Sequence, residues 1–471
     1  MPLFNGINRI LPGAYTRTDA SGLISTTLAP GGITAIVGTA GGGEPGKVYR
    51  FNDSGTAKST LKNGDLLDAL NGAWQNGAKV QYAVRIGNAL KATKTLSNAA
   101  TGGSVIGTIQ SKDWGSLNNN ISIKVGTGTN FGFNFTVLYT EGSRVTTELY
   151  EDVVDLGELA VSLTDSSSYV ELTSFASSGI PYINNLTVAL TGGDDGLTTI
   201  LSDWTDALDS LKVYDVQLLH PANVSDALVH SAFLQHCIEM SDAQKFRIAI
   251  VGGGVTQNVG DANNPGSDPT SHIGRAYSLN HERIIYVGSG VNGLKAAYTA
   301  SLITGKLAGF DSATSLTFKS LTGVTSLNQQ YSQTEKEDLI TRGVIVIEDA
   351  PNGRRVIRDV TTRQDNLLGI SEDPFKDITT VRIADYVNLN VKNILEATYV
   401  GKKGTTSAIS SMKNTTASIL GKLIEGEIIT NFRNVTVTQN VDNPKVFEVV
   451  YEIVPVFTIT WVFITTRLSN S

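Results

Sequence analysis

The chain has 471 residues, 41% of them hydrophobic and 17% charged, with 47 glycines, one cysteine and a net charge of −7. Its length points to two to four domains at roughly 100–200 residues each, and the glycine content suits packed loops and sheets. The charge is mild and no Lys/Arg cluster tracks phosphates, the densest being Arg354, Arg355 and Arg358 beside Asp359, so nucleic acid is not a favoured partner.

Residues 1–30 read as an irregular, turn-rich arm with Pro12-Gly13, Ser21-Gly22 and Pro30-Gly31-Gly32. Its apolar spots, Ile10, Leu11, Tyr15, Leu23 and Ile24, are candidate contacts to a neighbour. No continuous apolar leader opens the chain, so no secretory signal is read and folding in a reducing cytoplasm is expected. Ile33–Gly38 is a short apolar strand. Asp65–Gln75 is a helix with Leu66, Leu67, Leu70 and Trp74 on one face, stopped by Gly77, and Val80–Ile86 is the next strand. This is βαβ-like order.

From about Lys94 to Gly193 the texture turns to Gly, Ser, Thr and Asn with short alternating runs, such as Ile121–Val125 and Phe131–Tyr139, which predicts an inserted β-rich module. After the turn Gly192-Gly193-Asp194-Asp195-Gly196, helices over Thr199–Leu211 and Ser225–Met240 alternate with strands over Val213–Leu219 and Phe246–Val251. The single Cys237 lies within that second helix and reads as a small core residue. Asn258–Ser271 is a loop, Ile284–Val287 a buried strand, and Leu294–Leu307 a helix. Thr334 and Glu337 have the spacing of a capping box, with Gly343 closing that helix. Val344–Ile347 and Arg355–Val360 flank the hairpin turn Ala350-Pro351-Asn352-Gly353. Helices follow near Ala384–Tyr399 and Ser407–Ile424, then the strand Ile428–Thr438.

Two motifs suggest nucleotide chemistry. Gly41-Gly42-Gly43-Glu44-Pro45-Gly46-Lys47 has phosphate-loop spacing, but the next residue is Val48 where magnesium needs Ser or Thr, and Val48–Phe51 looks extended where a helix should begin. Gly288, Gly290 and Gly293 give G-x-G-x-x-G between strand and helix. Asp311 follows at about the required distance, but in a loop. Close helix-to-strand packing is the favoured reading of these glycines. The five histidines (His220, His230, His236, His272, His281) have no metal-ligand spacing. No catalytic residue, cofactor or metal is therefore expected.

The last residues are apolar where chain ends are usually polar. Val446–Val454 alternates as one strand. Beyond Pro455, Phe457, Ile459, Trp461 and Phe463 share one face, while Val462 and Ile464 lie on the other with Thr458 and Thr460. Both faces are largely dry, so this strand needs a sheet around it, its own or a neighbour's. A membrane span is not read here, because such a helix needs about 20 mostly apolar residues and Glu448, Glu452 and Pro455 interrupt the run.

The order Leu302-Ile303-Thr304-Gly305, Ser315–Leu321, Thr334–Gly343, Val360-Thr361-Thr362, Asp385-Tyr386 and Gly401-Lys402-Lys403, ending in a strand-rich tail, resembles the C-terminal half of contractile tail sheath proteins of long-tailed bacteriophages. Leu11-Pro12-Gly13-Ala14-Tyr15, Ile36-Val37-Gly38, Asn76-Gly77, Val84-Arg85 and Gly192–Gly196 are similar to the same family. The resemblance implies a non-enzymatic virion subunit, assembled in the host cytoplasm into stacked six-fold rings around a tail tube, between baseplate and tail terminator proteins, without direct membrane insertion. It assigns the terminal arms to strand exchange between subunits. The fold expected is a multidomain α+β or α/β one: a mixed-sheet core with packed helices, a β-rich module and extended N- and C-terminal arms. The segments are an arm over 1–30, core over 31–93, module over 94–195, core again over 196–283, a C-terminal sheath core over 284–444, and a strand arm over 445–471. A nucleotide-binding α/β enzyme and a self-contained β-rich surface protein are the alternatives.

Overall fold

The computed structural model describes residues 32–99, 103–351, 353–364 and 373–466, and the backbone of a short antiparallel pair, Leu3–Phe4 with Ile7–Asn8. The arm residues Ile10, Leu11, Tyr15, Leu23 and Ile24 lie outside the described residues. Two compact units emerge: Gly32–Asp311 with Leu316–Lys376, and the described parts of Ser312–Ser315 with Asp377–Ser471.

The first unit is built on a seven-stranded sheet. Its strands are β1 (Thr34–Gly38), β2 (Val48–Phe51), β3 (Gln81–Arg85), β11 (Leu218–Pro221), β12 (Ile248–Gly252), β13 (Ile284–Val287) and β14 (Val344–Ile345), in the spatial order β14-β13-β12-β11-β1-β3-β2. All pair in parallel except β2, which runs antiparallel along the β3 edge. A parallel sheet is covered on both faces, so its strands are apolar throughout. β1 shows this directly: Ala35 and Val37 enter one core with Leu219, Phe233 and Tyr286, while Ile36 enters the other with Leu66, Leu70 and Ala83.

The crossover helices are α1 (Ser54–Leu61), α2 (Asp65–Gln75), α4 (Leu201–Ser210), α5 (Ala227–Asp242), α6 (His272–Leu279), α7 (Ala296–Gly309) and α8 (Gln333–Thr341). α2 has the residues expected, with Asp65 and Asp68 in its first turn opposite the helix dipole. Cys237 is fully buried on α5. α6 was not anticipated, because a Ser271 cap and a single turn of apolar residues make a short signal. The cap of α8 is a correction. Ser332 accepts from Glu335 N–H while the Glu335 carboxylate accepts from Ser332 N–H, two residues before the expected Thr334/Glu337 pair. The strand expected over Val213–Leu219 is also displaced, to Leu218–Pro221. The buried Arg247 guanidinium donates to the carbonyls of Leu211 and Tyr214 at 3.0 and 2.7 Å and holds that stretch in a turn.

Between β3 and α4 the described residues of the module form a β-structure with one α-helix and a short 3-10 turn over Ser116–Asn120. Strands β4 (Thr93–Ser97), β5 (Val105–Ser111), β6 (Ile121–Thr127), β7 (Phe133–Glu141), β8 (Arg144–Val153), β9 (Val170–Thr173) and β10 (Thr187–Ala189) form two sheets, β8-β7-β6-β10 and β9-β5-β4. Their inner faces share one core, Ile109, Ile121, Phe133, Phe135 and Val137 among it. Helix α3 (Leu156–Ser166) closes that core with Leu156, Leu159 and Leu163, capped by Asp155 at its start and by the Lys112 ammonium on the Leu163 and Ser167 carbonyls at its end. A hairpin of β15 (Ile347–Ala350) and β16 (Gly353–Val356), with Ile347 and Val356 buried, completes the unit; its strands are displaced from the expected Val344–Ile347 and Arg355–Val360 because Val344–Ile345 pairs with β13 in the main sheet.

In the second unit, α9 (Ile378–Tyr399) and α10 (Thr406–Glu425) pack with the antiparallel pair β17 (Ile429–Gln439) and β18 (Phe447–Pro455) around Ile383, Val387, Ile419, Leu420, Leu423 and Ile429.

Candidate assembly surfaces

β17 and β18 make a sheet of only two strands. Their register runs from Ile429 opposite Pro455 to Gln439 opposite Phe447 and shifts between Arg433 and Thr436. Asn434 takes a positive φ of 55° at that irregularity, and the Glu452 carboxylate spans it, accepting from Arg433 at 2.7 Å and from Asn434 at 2.8 Å. Those two bonds hold the carboxyl below the ordinary glutamate range. Ile429, Val435, Phe432, Tyr451 and Ile453 pack on the helices. The outer edges of the pair carry no further strand among the described residues, leaving backbone donors and acceptors available for strand addition.

Residues 456–466 follow directly and form neither helix nor strand, a correction to the second strand expected here: among the described residues of one subunit no neighbouring strand pairs with the segment. Their apolar side chains are exposed: Phe457 is 61% exposed, Ile459 81%, Trp461 60% and Phe463 92%, with Val462 at 73% and Ile464 at 86%. An apolar run of this density is ordinarily buried. Isolated surface hydrophobics are common, but a contiguous apolar patch marks an interaction site.

The glycine motifs have structural employment. In the Gly41–Lys47 segment, Lys47 pairs with Glu44 at the surface and Val48 opens β2. The triglycine instead forms the root of the module. Gly43 donates its N–H to Asp113, its carbonyl accepts from the buried Arg85, and a Cβ on Gly115 would sit 2.2 Å from the Gly41 carbonyl oxygen. Arg85 also donates to the Asp195 carbonyl at 3.0 Å, so Val84-Arg85 and the Gly192–Gly196 turn, separate in sequence, meet here.

The Gly288–Gly293 loop is likewise filled. Asn328 accepts from Gly293 N–H at 2.7 Å and donates to the Val255 and Leu294 carbonyls, while Gly288 N–H bonds to the Ile345 carbonyl. A Cβ at Gly290 would lie 2.6 Å from the Asn328 amide nitrogen. Doubly wound sheets bind ligands where the strand order reverses, outside the carboxyl ends of the strands. Here that point lies between β1 and β11, and it is closed: Gly38 abuts Ala222, Asn223 donates to Asp65 at 2.9 Å, and Lys295 donates to the Asn223 carbonyl.

The histidines are inside the first unit. Burial pushes His220, His230, His236 and His272 down to about 4 and lowers His281 as well. Among the described residues no group of three or more His, Cys, Asp or Glu is placed to hold a metal ion, and no helix is long and apolar enough to cross a membrane.

The comparisons agree with this arrangement. Residues 201–362 match the phage tail sheath protein central domain, and residues 371–469 match the phage tail sheath C-terminal domain, together more than half of the chain. The tail sheath protein of Bacillus phage SP01 is 25% identical over 92% of this chain and 92% of its own length. That of Staphylococcus phage Twort is 23% identical over 87% of this chain and 89% of its own. The sheath tail protein from Desulfitobacterium hafniense superposes with a TM-score of 0.69 at 17% identity, covering 94% of this chain and all of that one. The contracted helical sheath of the anti-feeding prophage gives 0.55 at 12% identity, covering 98% and 99%. The mixed α/β fold is shared with solved sheath proteins. The chain belongs to the phage tail sheath family, and it is a structural subunit of a contractile tail.

Proposed function

We propose that the chain polymerises as stacked hexameric rings around an inner tail tube and contracts to drive that tube through the host envelope, with Phe457, Ile459, Trp461 and Phe463, backed by Val462 and Ile464, inserted in the sheet of a neighbouring subunit. The supporting observation is the arm itself, apolar on both faces and exposed beside a two-stranded sheet with open edges. Burying those four side chains contributes about 1.5–3 kcal/mol each. The eleven residues 456–466, fully extended, span about 36 Å at roughly 3.3 Å per residue, longer than the radius of gyration of about 23 Å for a globule of this chain length. The N-terminal residues Ile10, Leu11, Tyr15, Leu23 and Ile24 supply the second arm. Arms that stay paired let ring-to-ring contacts exchange between two lattice states, so contraction releases energy stored at assembly. Tail tube, baseplate and terminator proteins are the partners, the host cytoplasm is the place of assembly and the virion tail the destination.

No catalysis is assigned, and relatives that are structural proteins support this. Saturable nucleotide binding abolished by Gly290→Ala in a folded protein would overturn it. Negative-stain microscopy tests the assembly role. The full chain should form tubes, deletion of Pro455–Ser471 should give soluble monomers or small oligomers, and Trp461→Asp should do nearly the same because an unpaired buried charge costs several kcal/mol. A truncated chain that unfolds, beside an intact chain that is a stable monomer with Trp461 buried, would return the strand to its own subunit.

A further inference from the structure

A cleft of about 680 Å³ lies between α1 and the module, lined on one side by Lys58, Lys62 and Asn63 and on the other by Asp113, Asn118, Tyr139, Glu141 and Tyr169. The polar groups around the module root fall into two sets. One set, with Asp113, Lys62 and Asn118 of the lining in it, is bonded within the fold: Asp113 accepts from Gly43 and Trp114 N–H and lies 4.0 Å from the Lys62 ammonium, Asn118 donates to the Gly115 carbonyl, Asp195 accepts from the backbone and hydroxyl of Ser116, and Asn119 exchanges two bonds of 2.9 Å with Gly193. The other set lines the cleft and is open to it. The Lys58 ammonium, the Glu141 carboxylate, the Asn63 amide and the hydroxyls of Tyr139 and Tyr169 make no side-chain hydrogen bond with the described residues.

The two tyrosines stack with ring centroids 4.9 Å apart and planes 21° from parallel, half-buried, so a fixed aromatic wall stands beside free donors and acceptors. Partial burial raises the Tyr139 hydroxyl above its ordinary range.

The chemistry of the lining narrows the ligand. Lys58 and Lys62 balance Asp113 and Glu141, so neither a polyanion nor a polycation is favoured. Apart from the tyrosine rings the only large apolar lining residue is Leu117, too little for an apolar peptide. A cavity of this size falls in the roughly 300–1,000 Å³ range of small-ligand sites. From this combination we propose that the cleft is a binding site for a neutral saccharide, its ring face laid against the open face of the Tyr139–Tyr169 stack and its hydroxyls bonded to Asn63, Lys58 and Glu141. It adds a recognition function on the module to the assembly role and does not depend on strand exchange.

Saturation-transfer difference NMR on the intact chain tests this, with chitohexaose, maltohexaose and dextran as neutral probes and heparin as the polyanion. At least one neutral glycan should show transfer, weakened at least tenfold in Tyr169→Ala and in Asn63→Ala, with the melting temperature of each variant unchanged. If Tyr169→Ala lowers the melting temperature, Tyr169→Phe preserves the stack and should retain binding, while Asn63→Ala carries the test. Transfer from heparin alone, from none of the four, or from a neutral glycan as strongly in the two variants as in the unaltered chain overturns the proposal.

Discussion

His220 lies within β11 with Nδ1 2.8 Å from the Ile250 carbonyl, and its Nε2 is buried without a hydrogen-bond partner. His230 on α5 bonds the Val224 carbonyl through Nε2 and leaves Nδ1 unpaired, and His272 on α6 contacts the Tyr286 and Tyr331 hydroxyls. All three rings are pushed down to about 4 by burial, against about 6.5 in an unfolded chain. Above pH 6.5 they are neutral in both states and nothing is lost. Between pH 6.5 and 4 only the unfolded chain takes up protons, so stability falls across that window and reaches its full loss below pH 4. Each ring accounts for about 3 kcal/mol of that loss at about 1.4 kcal/mol per pKa unit. Thermal unfolding followed from pH 7.5 to 4.5 should show a steep drop, flattened in His220→Gln if the variant folds. A second residue-scale prediction concerns Arg85. Arg85→Met strands the Gly43 and Asp195 carbonyls and should cost about 1–3 kcal/mol, read as faster hydrogen exchange at the module root, residues 86–93 and 190–196.

Helices α2 and α7 meet through glycine. A Cβ on Gly305 would sit 2.1 Å from the Ala73 carbonyl oxygen, and Gly77, at a φ of 117°, lies against Gly309. The Leu302–Gly305 and Asn76-Gly77 segments are thus two halves of one contact. Gly305→Ala must push the helices apart and should destabilise the first unit by about 1–3 kcal/mol, measured as a shift in denaturant midpoint, whereas Gly421→Ala on α10, with open space around it, should be neutral or slightly stabilising. The α8 cap gives a matched pair of the same kind. Ser332→Ala removes the oxygen that receives Glu335 N–H and should cost about 1 kcal/mol. Thr334→Ala should change little, and equal effects in the two would argue against the observed cap.

At the scale of the whole chain, the module enters after β3 and leaves before α4, and its two crossing segments run side by side through the Leu90–Asp194 and Thr93–Thr191 bridges. Its core is its own. We therefore propose that residues 94–195 form an outward module dispensable for polymerisation. Replacing them with a short Gly/Ser linker should leave a folded core that still forms tubes by negative stain. Loss of tubes from a folded core would place the module in the lattice.

Periodicity and punctuation alone located most elements. α2, β13 and the β15–β16 turn follow from local rules, because helix period, continuous apolar runs and Pro/Gly turns act over a few residues. The shift from α/β to β texture is matched by strands β4–β10 for the same reason, and the apolar character of 456–466 is plain in the sequence. Tertiary contacts decided the rest. Arg247 moved a strand by reaching across the fold, Asn328 closed a loop whose glycines resemble a dinucleotide motif, and Arg85 joined Gly43 to Asp195. The saccharide cleft was invisible in the sequence, since Asn63, Tyr139 and Tyr169 are brought together only when the module folds back over α1. Local signals depend on neighbours in the chain, and a binding surface depends on neighbours in space.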